Sequence, residues 1–375
     1  MEKLAIYGAG RGGRFIFNEL QKRGINANFF IDKFIDVDNV NGIPVLRPND
    51  VKNFREPLIV LISIPQNIPK SVFLKFKLLL KEFNLEKYFF CVEELSDLFS
   101  NNYLFNLTET IKRFPFLIKI VEISGRNFTK DVEFLEKANS IVDYLLDKKS
   151  LQLYQSIVKF RKTLNPAYLP SLSDEIQYFP ENIFGKNLER LEKVETFIDL
   201  GAFVGDTAVF ATEILKNLKN YFAFELDISN FSKLRNTLNL LKQRKKEVNF
   251  VALPVGGFSE LECVKLSSVG PSSAINSEEG KILGLVANLD SIFINFKVDF
   301  VKMDIEGAEL EALKGMNRII KEHKPILAIS IYHSNRDLVE IPKYLIENYG
   351  DIYNIHIRIH GELTLETVLY AVPKE

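Results

Sequence analysis

Two short apolar runs in this chain break at once into glycine turns, and each turn opens a helical pattern. The first is Leu4–Tyr7 followed by Gly8-Ala9-Gly10-Arg11-Gly12-Gly13. The second is Thr196–Leu200 followed by Gly201-Ala202-Phe203-Val204-Gly205-Asp206-Thr207. A strand that turns sharply into a helix needs backbone able to reach positive φ and to pack closely on its neighbour. Repeated along a chain, that grammar specifies parallel strands joined by crossover helices, so the fold class is α/β. At 375 residues, two or three such units are expected.

The pattern divides the chain into three. Residues 1–95 predict a small Rossmann-like α/β domain, with strands at Leu4–Tyr7, Ala27–Ile31, Ile43–Leu46 and Leu58–Ile64. Residues 96–190 predict a helical connector, with helical spacing over Ile111–Val121, Phe134–Leu146 and Leu151–Lys162, broken by Pro166, Pro170 and Pro180. Residues 191–375 alternate strands and helices, then end in two successive strands, Tyr353–Ile359 and Thr367–Val372. That ending predicts a mostly parallel sheet closed by an antiparallel hairpin.

Charge narrows the partners. Forty-eight basic residues against 49 acidic ones leave a net charge of −1, which gives no electrostatic case for nucleic acid or a polybasic membrane surface. Cys91 and Cys263 cannot build a zinc finger or a disulfide framework, as in a reducing compartment. The opening MEKLAIYGAGRGGR interrupts any signal-like run, and the longest apolar stretch has only strand length. The expectation is a cytoplasmic protein without a membrane span, acting on a small molecule or glycan, with homo-oligomerisation left open.

The first turn has the spacing Gly8-x-Gly10-x-x-Gly13, and Asp32 follows at the end of the next strand. Such glycines let backbone N–H groups approach a diphosphate while the carboxylate takes ribose hydroxyls. A purely architectural turn remains the alternative. The stretches IYGAGRGGR, FFID and NGIPVL resemble the N-terminal domain of bacterial sugar acyltransferases, which implies a nucleotide-sugar as ligand.

The second turn is different. Its glycines are spaced G-x-x-x-G, Asp199 precedes them, and Glu225 ends the next strand. A diphosphate beside these carboxylates would be repelled, whereas a cationic nucleoside such as S-adenosylmethionine suits them. Six pieces, QYFP (177–180), FIDLGAFVGDT (197–207), AFELD (223–227), FVKMDIEGAELEALKG (300–315), LAISIYH (327–333) and ETVLYAV (366–372), together resemble the FkbM family of S-adenosylmethionine-dependent methyltransferases. The resemblance covers roughly residues 140–375. It implies a class I methyltransferase fold with a Rossmann-like seven-stranded sheet, and O-methylation of sugars, glycans or related metabolites. It further implies that Asp199, Gly201, Ala202, Phe203, Gly205, Asp206 and Thr207 form the cofactor loop. Glu225 and Leu226 would then lie at the ribose, Ala252 and Leu253 near the adenine, and Tyr178 over the cofactor.

Methyl transfer to a sugar hydroxyl calls for positioning and for help in deprotonating the acceptor. Asp304 and Glu306 stand at the carboxyl end of the strand Val298–Met303, with Asp304 also beside the cofactor. His333 ends the next strand, as the candidate general base. These three could instead hold a divalent cation, and no metal is assigned. His360 is a candidate substrate contact and His356 a packing residue, while Asp290 is expected to start a helix. Ser272 and Ser273, in an insertion, either line the cleft or make turns. Two further readings stay open: a nicotinamide-dependent oxidoreductase using the first turn, and a non-catalytic binding protein.

Overall fold

The computed structural model describes residues 3–51, 54, 56–64, 70–85, 103–119, 128–173, 175–269, 272–275 and 282–374. Two parallel sheets organise it. In the N-terminal unit, β1 (Lys3–Tyr7) turns into α1 (Arg11–Gln21), and β2 (Phe29–Ile31), β3 (Asn39–Val40), β4 (Ile43–Leu46) and β5 (Leu58–Ile62) follow. After α2 (Lys70–Glu82) come β6 (Tyr103–Phe105) and α3 (Leu107–Arg113). The strand order is β3-β4-β2-β1-β5-β6, parallel throughout except for the β3–β4 pair. The sequence places residues 103–105 in the connector; in the fold they are the edge strand of the first sheet. A three-residue strand is too short for its periodicity to be read.

The connector has little independent body. Its long helix α4 (Lys148–Thr163) is capped by Asp147, whose side chain accepts the Ser150 N–H. Tyr154 and Ile157 of α4, with Leu135, Ala138 and Ile141, are buried in the core of the C-terminal unit. The pattern over Phe134–Leu146 is realised as short 3-10 and α turns, and that over Ile111–Val121 as α3 and a 3-10 turn within the described residues.

The C-terminal unit runs β7 (Thr196–Leu200), α5 (Asp206–Ile214), β8 (Asn220–Phe224), α6 (Ile228–Arg244) and β9 (Asn249–Leu253). After an insertion come β14 (Phe300–Met303), α7 (Glu309–Lys314), α8 (Asn317–His323), β15 (Ile326–Ser330), α9 (Asn335–Tyr349), β16 (Tyr353–Ile359) and β17 (Thr367–Pro373). The sheet order is β16-β17-β15-β14-β7-β8-β9, with β17 antiparallel to both neighbours. This is the class I methyltransferase arrangement. Its central strands read as unbroken apolar runs because helices cover both faces. On one face Phe197 stacks between Tyr221 and Phe300, at centroid distances of 5.2 and 4.8 Å. Each such ring, fully buried, contributes about 1.5–3 kcal/mol.

The insertion is a second sheet, with β10 (Val255–Gly257), β11 (Glu262–Val269), β12 (Ser272–Ile275) and β13 (Ile282–Ala287) in the order β10-β13-β11-β12. Ser272 and Ser273 thus lie on a paired strand, β12. Gly315 and Met316 divide α7 from α8. A Cβ on Gly315 would stand 1.9 Å from the Phe258 carbonyl, and Asp290 accepts N–H bonds from Arg318 and Ile319 at the start of α8.

The two units share a core. Leu107 and Ile111 of α3 pack in one cluster with Phe160 of α4 and with Tyr332, Leu363 and Leu365 of the C-terminal unit. Buried Glu362 accepts hydrogen bonds from both the backbone N–H and the hydroxyl of Thr108. The first unit therefore packs against the segments that border the strand ends of the second. No helix among the described residues is long and apolar enough to cross a membrane.

Candidate active site

The loop from β7 to α5 is built on two glycines in left-handed conformation, Gly201 (φ +77°) and Gly205 (φ +88°). A Cβ on Gly201 would sit 1.8 Å from the Asp304 carbonyl oxygen, so only glycine lets the loops after β7 and β14 touch. Thr237 of α6 donates to the Val204 carbonyl and holds the far side of the loop. Phe203 has φ +48°, and its N–H donates to Glu225 Oε2 at 2.9 Å.

Glu225 ends β8 and also accepts from the Asp227 N–H through Oε1, at 2.8 Å. Burial pushes its carboxyl up, and these two N–H groups only partly oppose the shift, leaving it at about 7. Asp206, in the first turn of α5, is pushed up to about 6, again mainly by burial. Ala252 and Leu253 close β9, and the Leu253 carbonyl accepts the Glu225 N–H.

Four residues named from the sequence turn inward. Asp199 is fully buried: Oδ1 is 2.9 Å from Lys302 Nζ, and Oδ2 accepts from Tyr221 Oη at 2.5 Å. It braces the loop from beneath. Ala202 is in the core, and Leu226 packs with Phe258, Val264 and Val286. Thr207 is buried within α5.

Lys302 carries no role in the sequence reading, yet it is central. Buried in β14, it donates to the Gly201 carbonyl at 2.6 Å while pairing with Asp199. Burial pulls its pKa down, but Asp199 and Asp304 outweigh that and keep it charged. The available signal is a lysine inside an otherwise apolar central strand, FVKM.

Asp304 is the hub of the carboxyl edge. Tyr178 Oη donates to Oδ2 at 3.0 Å, Tyr332 Oη donates to Oδ1 at 3.3 Å, and His333 Nε2 lies 3.2 Å from Oδ1. Burial alone would raise Asp304, but His333, Lys302 and Tyr178 prevail and hold it below the usual carboxylate range. Tyr178 reaches over from the 175–180 segment with φ +67°, a strained conformation for its type. Its backbone N–H donates to Tyr370 Oη, which lies 2.9 Å from His360 Nε2. His360 is therefore buried behind Tyr178. His356 pairs with Asp147 at 2.7 Å and ties α4 to the sheet edge.

His333 is 3% exposed and ringed by acids. Glu309 Oε1 lies 3.1 Å from Nδ1, and Glu306 Oε2 lies 3.6 Å from Nε2. Burial pulls its pKa down, but Glu309, Asp304 and Glu306 overcome this and raise it well above the ordinary value. Raised in this way, the ring holds a proton more tightly than an ordinary histidine does. Its loop is held by buried Arg161 of α4, which donates to the carbonyls of Tyr332 and Ser334.

The N-terminal turn stands elsewhere, on the first sheet. Gly13 packs on Gly8, where a Cβ would lie 1.7 Å from the Gly8 carbonyl oxygen, and Gly10 caps α1. Asp32 is buried: Oδ2 accepts the Ala9 N–H, and Oδ1 accepts those of Phe34 and Ile35. Its carboxylate is thereby committed to the turn itself.

Comparison with known proteins agrees with the second sheet. The family model described as the methyltransferase FkbM domain matches residues 199–353. The methyltransferase FkbM from Methylobacillus flagellatus KT superimposes with a TM-score of 0.56 at 23% identity, covering 98% of this chain and 89% of that one. A precorrin-6y C5,15-methyltransferase from Geobacter metallireducens GS-15 matches at 12% identity, over 54% of this chain and 94% of its own, with a TM-score of 0.32. The fibrillarin of Aeropyrum pernix, in complex with natively bound S-adenosyl-L-methionine, matches at 11% over 48% and 68%, with a TM-score of 0.30. These last two likenesses are too slight to carry an argument. No curated protein matches. The fold, the loop joining β7 to α5 and the family match fall on the same part of the chain: residues 199–353 match the methyltransferase FkbM domain.

Proposed function

We propose that the chain is an S-adenosylmethionine-dependent methyltransferase that O-methylates a sugar hydroxyl of a glycan or nucleotide-sugar precursor. The observation that carries the cofactor is the placement of Glu225. Its carboxylate is fixed by the N–H groups of Phe203 and Asp227 at the end of β8, next to the Gly201–Gly205 loop. Each oxygen keeps a second lone pair, enough to accept from two ribose hydroxyls. The acids Asp206, Glu225 and Asp304 suit a sulfonium and oppose a diphosphate.

Transfer is an in-line displacement. S-adenosylmethionine bound there would supply an electrophilic methyl group to the acceptor oxygen, the carbon–sulfur electron pair staying on sulfur as a neutral thioether. The hydroxyl proton passes to the carboxylate edge and from there to water. Tyr178 and Tyr332 orient Asp304, and Arg161 holds the loop of His333, so the edge is positioned before substrate arrives. The sugar acceptor rests on the resemblance to the FkbM family. The oxidoreductase alternative loses ground, because Asp32 already accepts three backbone N–H bonds.

Calorimetric titration of the purified chain with S-adenosylmethionine tests the reading. Saturable binding that is lost in Glu225→Ala is expected. Tight binding of NAD without S-adenosylmethionine binding would overturn it.

A further inference from the structure

We propose that the carboxyl edge of the sheet is a divalent-metal site, ligated by His333 Nε2, Asp304 and Glu306, with Glu309 behind the imidazole. The metal's catalytic use rests on the methyltransferase reading; its binding does not.

The first observation is distance. His333 Nε2 is 3.2 Å from Asp304 Oδ1 and 3.6 Å from Glu306 Oε2. Ligand atoms held about 2.1 Å from one ion, at roughly 90–115° to each other, stand about 3.0–3.6 Å apart. The second observation is the histidine itself. The ring is 3% exposed, and neither nitrogen is in line for a hydrogen bond, although carboxylate oxygens stand within 3.6 Å. A buried imidazole without directed partners is costly, and a cation on Nε2 removes that cost.

The donor set can be divided. Oxygen and nitrogen atoms of Asp304, Glu309 and His333 all lie within 4.8 Å of one another. Glu309 is fixed from behind: Oε1 accepts the Ile305 N–H at 2.8 Å and Oε2 the Gly307 N–H at 3.0 Å. It faces Nδ1, the nitrogen turned away from Asp304. That is the carboxylate–histidine–metal arrangement, in which the outer carboxylate sets the tautomer and aims the other nitrogen at the ion. Glu306 Oε2 faces the same nitrogen, Nε2, at 3.6 Å, the position of a second carboxylate ligand.

One imidazole with two carboxylates favours a transition-metal ion such as Mn²⁺ over Ca²⁺, whose ligands are oxygens. Asp304 and Glu306 keep about a fifth of their side-chain surface open, so coordination positions remain for water or an acceptor hydroxyl. An ion there would acidify that hydroxyl and so assist its deprotonation as the acceptor attacks.

The test is titration of the chelator-treated full chain with Mn²⁺, following free Mn²⁺ by electron paramagnetic resonance. S-adenosylmethionine affinity and melting temperature are measured on the same samples. One saturable site per chain is expected, weakened at least tenfold in Glu306→Gln and in His333→Gln. Glu306→Gln should melt like the parent, since the side chain is partly exposed. Absence of Mn²⁺ binding up to millimolar concentration, or equal binding in parent and Glu306→Gln, would overturn the site. Mn²⁺ binding without S-adenosylmethionine binding keeps the site and removes the methyltransferase reading; the converse removes the site alone.

Discussion

Tyr178 and Asp304 are 126 residues apart in the chain, yet Tyr178 Oη donates to Asp304 Oδ2 at 3.0 Å. The bond links the 175–180 segment to the end of β14 and so closes one side of the proposed cofactor cleft. A hydrogen bond to a charged group contributes about 1.5–3 kcal/mol. Tyr178→Phe keeps the ring and removes the bond. Its dissociation constant for S-adenosylmethionine should rise about tenfold or more in calorimetric titration. Affinity and turnover both within twofold of the parent would mean that Tyr178 does not act through Asp304.

Lys302 and Asp199 form a buried pair beneath the glycine loop, at 2.9 Å. Removing one partner strands the other charge in a dry interior, a cost of about 3–5 kcal/mol. Lys302→Met should therefore lower unfolding stability by that amount in urea titration. The double variant Lys302→Met/Asp199→Asn should recover much of the loss, because no lone charge remains. If the single and double variants are equally unstable, packing rather than charge sets the effect.

Gly201 offers a sharper test of the loop. An alanine there would place its Cβ 1.8 Å from the Asp304 carbonyl oxygen at φ +77°. Gly201→Ala should abolish S-adenosylmethionine binding while far-UV circular dichroism stays close to that of the parent. Parent-like affinity would show that the loop after β7 does not hold the cofactor.

Much of this site was legible from local pattern. The glycines after β7, the acid ending β8 and the acids after β14 are short-range signals, each tied to a strand end. What escaped depends on contacts far apart in the chain. Lys302 looks like one residue of a motif until Asp199 and the Gly201 carbonyl come to meet it. His360 looked like a substrate contact because it ends a strand, but the 175–180 segment covers it through Tyr370. Asp32 had the spacing of a ribose ligand, and only the fold reveals that three backbone N–H groups already occupy it. The insertion that holds Ser272 and Ser273 folds as the small sheet β10–β13, whose strands are hard to read because glycines and serines interrupt the alternation.

Glu225 makes cofactor binding and apo stability respond oppositely to pH. Its folded pKa, pushed up to about 7 by burial, lies above the ordinary carboxyl value of 4.5. The folded chain therefore holds this proton more tightly than the unfolded chain. The stability it contributes is fully present below about pH 4.5 and is lost as pH rises through about 7. The ionised carboxylate is the form that accepts from ribose hydroxyls, so affinity for S-adenosylmethionine should rise between pH 6 and 8. Titrations across that range, repeated with Glu225→Gln, check it. The variant should bind weakly with a flat profile, and a profile that keeps its slope would assign the titration to another group.

Asp32 separates architecture from ligand binding in the N-terminal unit. Its carboxylate accepts from Ala9, Phe34 and Ile35, so it fixes both the glycine turn and the chain leaving β2. Asp32→Ala leaves three N–H groups without their acceptor, at about 1–3 kcal/mol for each one that stays buried. Unfolding stability should fall by at least about 2 kcal/mol, while S-adenosylmethionine affinity at the distant loop stays within twofold of the parent. A stability like the parent's, together with loss of a nucleotide-sugar that the parent binds, would return Asp32 to the role its spacing suggests. The architectural role predicts the reverse, because the carboxylate that shapes the turn has little left for a ribose.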